Sequence, residues 1–324
     1  MRERIPYALV PVAALLIALS EVTVPYWSEG PGPAKEVEPL IRVSGHEAFQ
    51  SESKFILTSV SGRPLNLFQA IGAWLDPARS VVSENLFVFP GESELQANAR
   101  ATSEMDQSKL DATAFVLGQV ADYPKVHRPG VLVEAVGSDC PAEGRLFVGD
   151  LLLRLNGKTI QSEAEFERTL DRLPPPQPLR LSGRAGGEAF TVTLTRRPCS
   201  GYRQPLIGIN TIANFPFGVR ISSGDIGGPS AGLMWALGLY DLLTPGNLGG
   251  RRIVAGTGTI DPFGRVGPIG GVGDKIVAAE REGARTFLVP RANLAEARAA
   301  VTGTIRLVPV DTFQDAVRDL RHSS

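Results

Sequence analysis

The segment from Gly224 to Lys275 constrains the fold of this chain more than any other. Its opening turn, residues 227–232, reads Gly-Gly-Pro-Ser-Ala-Gly and leads into residues 233–243, where apolar residues recur at helical spacing. Residues 253–269 read as two short strands joined by a tight turn, and a second helix is expected over about 272–282. The segment therefore predicts two helices connected through strands in a domain that mixes α and β structure.

Two residues of this segment carry candidate chemistry. Ser230 is expected at a helix N-terminus, where unpaired backbone N–H groups and the helix dipole favour a developing negative charge. The alternative is that Ser230 only caps the helix by accepting one of those N–H groups. Lys275 falls in the first turn of the second helix, a position that the helix dipole disfavours for a cation. An exposed lysine without chemistry is the alternative there.

Two motifs in this segment, Gly-Pro-Ser-Ala-Gly at 228–232 and Pro-Ile-Gly-Gly-Val-Gly-Asp-Lys at 268–275, resemble the proteolytic domain of the Lon family. The resemblance extends over about 205–321, and it implies a serine peptidase with Ser230 as nucleophile and Lys275 as general base. It is closer still to the membrane-anchored bacterial Lon-like proteases that carry a PDZ domain. Those relatives also imply polypeptide substrates and self-assembly into a homo-oligomer.

The resemblance also assigns supporting residues around the two motifs. Gly228 and Pro229 shape the turn before the serine. A threonine that lines the Lon site aligns with Asp261, and Lon proteins usually carry a lysine and an aspartate just before the Gly-Pro-Ser motif, which this chain lacks. Thr259 and Asp261 are both candidates to orient Lys275, and the sequence leaves the choice between them open.

A lysine base also agrees with where the histidines fall. The three histidines of the chain, His46, His127 and His322, all lie outside the 224–275 segment. A lysine in water has a pKa of about 10.4, whereas an effective base needs a pKa of about 7 to 8. The site must therefore bury the amine of Lys275 or place positive charge beside it.

Composition excludes several other classes of function. The chain has 324 residues, a formal net charge of −1 and 43% hydrophobic residues, which suits two or three folded domains and gives no reason to expect nucleic-acid binding. No phosphate-binding loop, Cys/His cluster or cofactor motif occurs, so we expect neither ATPase activity nor a metal or cofactor. Cys140 and Cys199 either pair or remain single thiols, and we take single thiols as the default because the sequence gives no geometry.

The amino-terminal segment is apolar from Ile5 to Trp27, long enough for a helix that crosses a membrane. Arginines before it predict a cytoplasmic amino terminus, which makes a single-pass cell-membrane protein with the bulk of the chain extracytoplasmic. The alternative is a cleaved signal peptide ending near Ser20. We favour the uncleaved anchor because the apolar tract continues past Ser20 to an interfacial Tyr-Trp pair.

Residues 126–198 look like a PDZ domain of the kind attached to bacterial proteases. An Asn-Gly turn joins two apolar strands, and Ser162 with Glu165 forms a capping box that opens a helix. Such domains bind a peptide as an added strand in a groove between a strand edge and a helix. The strand predicted here contains Val131, Leu132 and Val133, and the helix presents Phe166 and Leu170.

The predicted class is therefore α+β, with four parts: a transmembrane anchor (1–27), a β/helical supporting region (28–125), a PDZ domain (126–198) and a Lon-like proteolytic domain (205–321). The predicted function is ATP-independent serine endopeptidase activity on unfolded or flexible polypeptides at the extracytoplasmic membrane face, with the PDZ domain binding or gating the substrate. The alternative is a catalytically inactive PDZ scaffold that only captures peptides.

Overall fold

The computed structural model describes residues 9–75 and 80–322. Over those residues the α-helices are α1 (Leu9–Ser20), α2 (Leu67–Leu75), α3 (Glu94–Val120), α4 (Glu163–Arg172), α5 (Gly232–Leu243), α6 (Val272–Arg281), α7 (Leu294–Ala300) and α8 (Phe313–His322). The strands are β1 (Thr23–Glu36), β2 (Ile41–Ser44), β3 (Lys54–Asn66), β4 (Ser80–Ser83), β5 (Arg128–Val136), β6 (Leu151–Leu155), β7 (Lys158–Thr159), β8 (Pro178–Ala185), β9 (Glu188–Thr195), β10 (Arg197–Pro198), β11 (Pro205–Leu206), β12 (Ile209–Asn214), β13 (Gly218–Ile221), β14 (Ile253–Gly256), β15 (Thr259–Ile260), β16 (Val266–Gly267), β17 (Thr286–Pro290) and β18 (Arg306–Val310). Short 3₁₀ helices lie at Glu38–Leu40, Glu84–Leu86 and Arg291–Asn293.

The main sheet has the strand order β18-β17-β14-β3-β1-β4. β18, β17, β14 and β3 run parallel, whereas β1 pairs antiparallel with β3 and β4. Every residue of β17 is buried: Leu288 lies in the core shared with Trp235 of α5, and Phe287 and Val289 lie in the core shared with Ile276 of α6. Helices therefore cover both faces of the sheet, as a parallel sheet requires.

The region before residue 125 contributes directly to this main sheet. β3 lies between β1 and β14, and the long helix α3 packs against α5 through Met105, whose sulfur accepts a hydrogen bond from Trp235 Nε1 at 3.4 Å. Residues 28–125 are therefore continuous with the predicted proteolytic unit in one sheet and one core. The sequence instead predicted a separate supporting region. It did not reveal the shared sheet because the pairing of β3 with β14 joins segments far apart in the chain, and local sequence patterns do not show such pairing.

A second sheet is antiparallel and has the order β12-β5-β6-β8-β9, with β7 paired to β6. Its core contains Phe166 of α4 together with Val131 and Val133 of β5. The edge strand β12 comes from residues after 205, so the segment predicted to begin the proteolytic unit completes this second sheet instead. The chain then returns through β13, which pairs with β2.

The predicted transmembrane helix is wrong in its carboxyl-terminal part. Helix α1 ends at Ser20, and from Thr23 the chain is a strand that pairs with β3 and β4. Trp27, predicted as an interfacial anchor, stacks on Phe87 with ring centroids 4.9 Å apart. Thr23, Val24 and the aromatic pair favour extended backbone over helix. Across residues 9–75 and 80–322, no helix combines the length and the apolar character that a membrane span needs, and Ile5, where the predicted span begins, lies outside the described residues.

Cys140 and Cys199 form a disulfide, so the default of single thiols is wrong. The bond joins the loop after β5 to the segment that precedes β11 and β12. Both cysteines are buried, and Cys140 packs directly against Gly208 at the start of β12. The sequence offered no way to see that 59 residues of separation close into contact.

Candidate active site

Ser230 lies in a turn that hydrogen bonds fix to two neighbouring segments. Its carbonyl oxygen accepts hydrogen bonds from Gly258 N at 2.8 Å and from Thr257 Oγ1 at 3.0 Å. The preceding residues are tied to α3, because Gly228 N donates to Ala101 O at 2.7 Å and Pro229 O accepts from Ser108 Oγ at 3.0 Å. These bonds hold the serine rigidly ahead of α5.

The turn also depends on glycine. Gly228 has a φ of +82°, in the left-handed region that glycine adopts at no steric cost. At Gly232 a Cβ atom would come within 2.8 Å of Ile260 N, so the first residue of α5 must lack a side chain to pack against β15. The Gly-Gly-Pro-Ser-Ala-Gly sequence is thus explained by close approach of the turn to its neighbours.

Ser230 is not the N-cap of α5. Ala231 occupies that position, and no side chain caps the helix there. The Ser230 hydroxyl instead lies 2.8 Å from the Nζ atom of Lys275. The serine hydroxyl is therefore within hydrogen-bond distance of an amine, and helix α5 begins just after the serine in the chain.

Lys275 lies in the first turn of α6 and is only 3% exposed. The helix begins after Gly271, whose φ of +65° suits glycine, and its residues Val272 and Ile276 are buried in the core beside the main sheet. Burial lowers the pKa of Lys275 to about 8, while the carboxylates of Glu29 and Glu296 act in the opposite direction. An amine with this pKa is neutral in a useful fraction of molecules near neutral pH.

Thr257 is the second partner of the lysine. Its side chain is fully buried, and Oγ1 accepts from Lys275 Nζ at 3.4 Å while it donates to the carbonyl of Ser230. A single hydroxyl therefore links the amine to the backbone of the serine. Thr257 falls between β14 and β15, within the stretch that the sequence reads as one unbroken strand.

The two residues predicted to orient Lys275 lie elsewhere in this structure. Thr259 is in β15, opposite Gly267 of β16. Asp261 fixes the following turn: its carboxylate accepts from the backbone N–H groups of Phe263 and Arg265, and from Arg265 Nε at 2.7 Å. Asp261, the position that the resemblance aligned with a threonine, lies four residues after Thr257, and Thr257 is the threonine that contacts the lysine.

A cleft of about 250 Å³ opens onto Ser230 and Lys275. One wall is formed by Ser59, Val60 and Ser61 of β3, and the opposite wall by the residues just before the serine. Strand β3 belongs to the region predicted only to support the other domains. The amino-terminal third of the chain therefore supplies part of the surface that faces the two side chains.

The predicted peptide groove beside β5 is occupied by the protein itself. Val131, Leu132 and Val133 lie in a strand that pairs on one side with β6 and on the other with β12, and all three are buried. The edge strand on this side of the sheet is β12, and β9 is the other edge. Phe166 and Leu170 of α4 do line a groove, but its other wall is the segment from Gln204 to Thr211.

This groove has a volume of about 900 Å³, and the loop Leu206–Gly208 is part of its lining. Gly208 packs closely against the disulfide, because a Cβ atom there would lie within 2.1 Å of Cys140 Cβ. The carbonyl oxygen of Gly208 accepts a hydrogen bond from Gly137 N at 2.8 Å. Arg196 lines the same groove; its terminal nitrogens donate to the carbonyls of Leu170 and Leu173, and its Nε has no partner. The sequence signal for this groove is Leu-Ile-Gly-Ile at 206–209, where a glycine lies just before the strand, and it was missed.

Residues 216–321 match the model of the Lon protease (S16) C-terminal proteolytic domain. The Lon protease of Campylobacter concisus is 36% identical over 96 residues, which cover 28% of this chain and 12% of that protein. Lon protease 1 of Myxococcus xanthus is 39% identical over 111 residues, covering 33% and 13% respectively. The match thus spans about an eighth of these relatives. The chain carries a Lon-type proteolytic segment, and this supports a serine peptidase.

The solved structures that resemble this chain include the PDZ domain of an SdrC-like protein from Listeria innocua. It is 26% identical, covers 25% of this chain and 92% of that domain, and has a TM-score of 0.24. The PDZ domain of an SdrC-like protein from Listeria monocytogenes is 24% identical, covers 26% and 87%, and also has a TM-score of 0.24.

Proposed function

We propose that this chain is a serine endopeptidase in which Ser230 is the nucleophile and Lys275 the general base. The observation that carries the proposal is the 2.8 Å distance between Ser230 Oγ and the buried Lys275 Nζ. A hydroxyl beside an amine whose pKa is lowered to about 8 is the arrangement that activates a serine without histidine.

In the first half-reaction the neutral Lys275 takes the hydroxyl proton while Ser230 Oγ bonds to the carbonyl carbon of the substrate. Backbone N–H groups at the start of α5 stabilise the oxyanion. The lysine ammonium then gives its proton to the leaving amine as the peptide bond breaks, which leaves an ester on Ser230. In the second half-reaction Lys275 takes a proton from water, the hydroxide attacks the ester, and the proton returns to Ser230 Oγ.

The substrates that suit this site are extended polypeptide segments. The cleft has a volume of about 250 Å³ and is lined mainly by residues of β3 and of the segment just before Ser230. A flexible chain reaches the serine there, whereas a folded domain is excluded. We propose that cleavage of such segments needs no ATP.

The groove between β12 and α4 is proposed to bind a peptide as an added strand. A strand edge beside a helix is the arrangement that accepts such a ligand. The glycine loop at 206–208 offers backbone N–H groups, and Arg196 supplies positive charge in the same groove, so a free carboxyl terminus is the preferred end. A peptide with a free terminus should bind more tightly than its amidated form, and Leu170→Arg should block both.

The proposed location is the extracytoplasmic face of the cell membrane, with the amino-terminal segment as the attachment. The Cys140–Cys199 disulfide supports this, because disulfides persist in oxidising compartments and are rare in the cytosol. Helix α1 supports the attachment, since its residues from Ala14 to Ala18 are all apolar and exposed.

The test is cleavage of an unfolded protein such as casein. Ser230→Ala and Lys275→Ala should each abolish cleavage, while Ser222→Ala and Lys158→Ala, which change an exposed serine and an exposed lysine elsewhere, should keep the full rate. A fluorophosphonate probe should label the wild type and fail to label Ser230→Ala. Cleavage retained in either site variant would refute the dyad, and an unlabelled, inactive wild type would favour the scaffold alternative.

A further inference from the structure

Helix α2 presents an apolar face to solvent. Phe68, Ile71, Trp74 and Leu75 fall within one third of the helix circumference, and Trp74 and Leu75 are 82% and 70% exposed. The helix contains no charged residue, and Ala73 is its only buried one. A patch of this kind on a folded protein marks an interaction site.

The same side of the molecule carries α1. Helices α1 and α2 are in contact, and Leu67 N at the start of α2 donates to Val22 O, just past the end of α1, at 3.2 Å. Val22 is itself exposed. The exposed apolar residues of α2 therefore belong to a helix that adjoins α1.

The character of α1 identifies what covers these two helices. Ala14 to Ala18 are five consecutive exposed apolar residues, and at 100° per residue they surround the helix. A helix that is apolar on every side belongs in an apolar medium. A second copy of this chain or another protein would cover one side of α1, whereas lipid covers all of them.

We propose that the face of α2 is a second lipid contact, lying in the interface of the bilayer beside α1. An uncharged helix that carries Trp, Phe, Leu and Ile on its outer face suits the boundary between headgroups and acyl chains, where the Trp74 ring finds both an apolar layer and hydrogen-bonding partners. Two contacts fix the orientation of the body on the membrane, which a single point of attachment does not do. This inference rests on the proposed membrane location and is independent of the peptidase chemistry.

Trp74 provides the assay. Of the other tryptophans, Trp235 is fully buried and Trp27 is half-buried against Phe87. The full chain is bound to phosphatidylcholine–phosphatidylglycerol vesicles with either ordinary or brominated acyl chains, since bromine quenches only tryptophans that reach the chains. We expect weaker emission in the brominated vesicles, and we expect Trp74→Phe to remove most of that difference.

A charge placed on the face provides the matched comparison. Ile71→Glu should lift the face from the lipid and reduce the quenching, while Phe263→Glu, at a still more exposed apolar residue in the turn between β15 and β16, should leave it unchanged.

Three results would overturn the inference. Equal emission in the two kinds of vesicle, with Trp74 open to acrylamide, would place α2 in water. Equal emission with Trp74 shielded would show that a second copy or another part of the chain covers it. These first two results would refute the α2 contact alone. The third result, a full chain that does not bind the vesicles, would refute the membrane location together with the α2 contact. None of the three bears on cleavage by Ser230.

Discussion

The buried ammonium of Lys275 should lower the free energy of unfolding of this protein, and Lys275→Met should remove that cost. Burial lowers its pKa from 10.5 to about 8, so the folded state binds fewer protons than the unfolded state in that range. Unfolding stability therefore rises as pH increases from about 8 to 10.5, and below pH 8 the full cost of burying the ammonium is present. That difference in pKa corresponds to a cost on the order of 3 kcal/mol at pH 7.

Methionine at this position keeps a similar length and removes the charge. It also removes the hydrogen bonds from Nζ to Ser230 and Thr257, which together contribute about 1 to 2 kcal/mol. We therefore expect Lys275→Met to be inactive yet more stable than the wild type by about 1 to 2 kcal/mol at pH 7. The advantage should shrink as pH rises and should reverse between about pH 9 and 10, where the remaining cost of burying the ammonium falls below the contribution of the lost hydrogen bonds.

The assay is urea unfolding of both proteins at pH 7, 9 and 10.5, followed by circular dichroism. Comparing the two proteins at each pH cancels the titration of every other group. An equally large stability difference at all three values would contradict the reasoning, because it would show that folding does not lower the pKa of Lys275. Lys275→Met that is less stable than the wild type at pH 7 would contradict it as well.

Further predictions concern the neighbours of the dyad and the disulfide. Thr257→Val should lower kcat by about 10- to 100-fold, because the amine loses an acceptor that positions it, while Thr257→Ser should restore most of the rate; equal losses in both variants would contradict the hydrogen-bond role. Glu29→Gln removes a negative charge that raises the pKa of Lys275, so the acid limb of the kcat/KM profile should move to lower pH with little change in the plateau rate, and an unmoved limb would count against this. Replacing Cys140 and Cys199 by serine should lower the free energy of unfolding of the domain that contains β12 by about 2 to 4 kcal/mol. A reducing agent should lower the melting temperature of the wild type but not that of the variant.

The sequence predicted those parts of the site that are encoded locally. The turn at 227–232, the helix after it and the helix that carries Lys275 follow from glycine, proline and apolar spacing within single short segments. A lysine base requires either burial of the amine or a neighbouring positive charge, and the structure buries Lys275. The pairing of a serine with a lysine came from the resemblance, since 45 residues of chain separate them.

What the sequence did not reveal depends on contacts between distant segments. Thr257 was missed because residues 253–260 read as one strand in the sequence. The structure breaks this stretch between β14 and β15, where Gly258 has a φ of +146°. The peptide groove was placed beside β5 because β12, which covers that edge, lies about seventy residues further along the chain. The contribution of β1 and β3 to the main sheet was hidden for the same reason, and self-assembly into a homo-oligomer stays a prediction.

The most direct test of the account is the pH dependence of kcat/KM for cleavage of an unfolded peptide substrate. A buried Lys275 acting as base predicts a single ionisation on the acid side near pH 8, with a rate about tenfold higher at pH 9 than at pH 7. An acid limb near pH 6.5 would indicate a histidine base, and a rate that still rises tenfold per pH unit at pH 9.5 would show an unperturbed lysine. Either result would contradict a buried Lys275 as the group that activates Ser230.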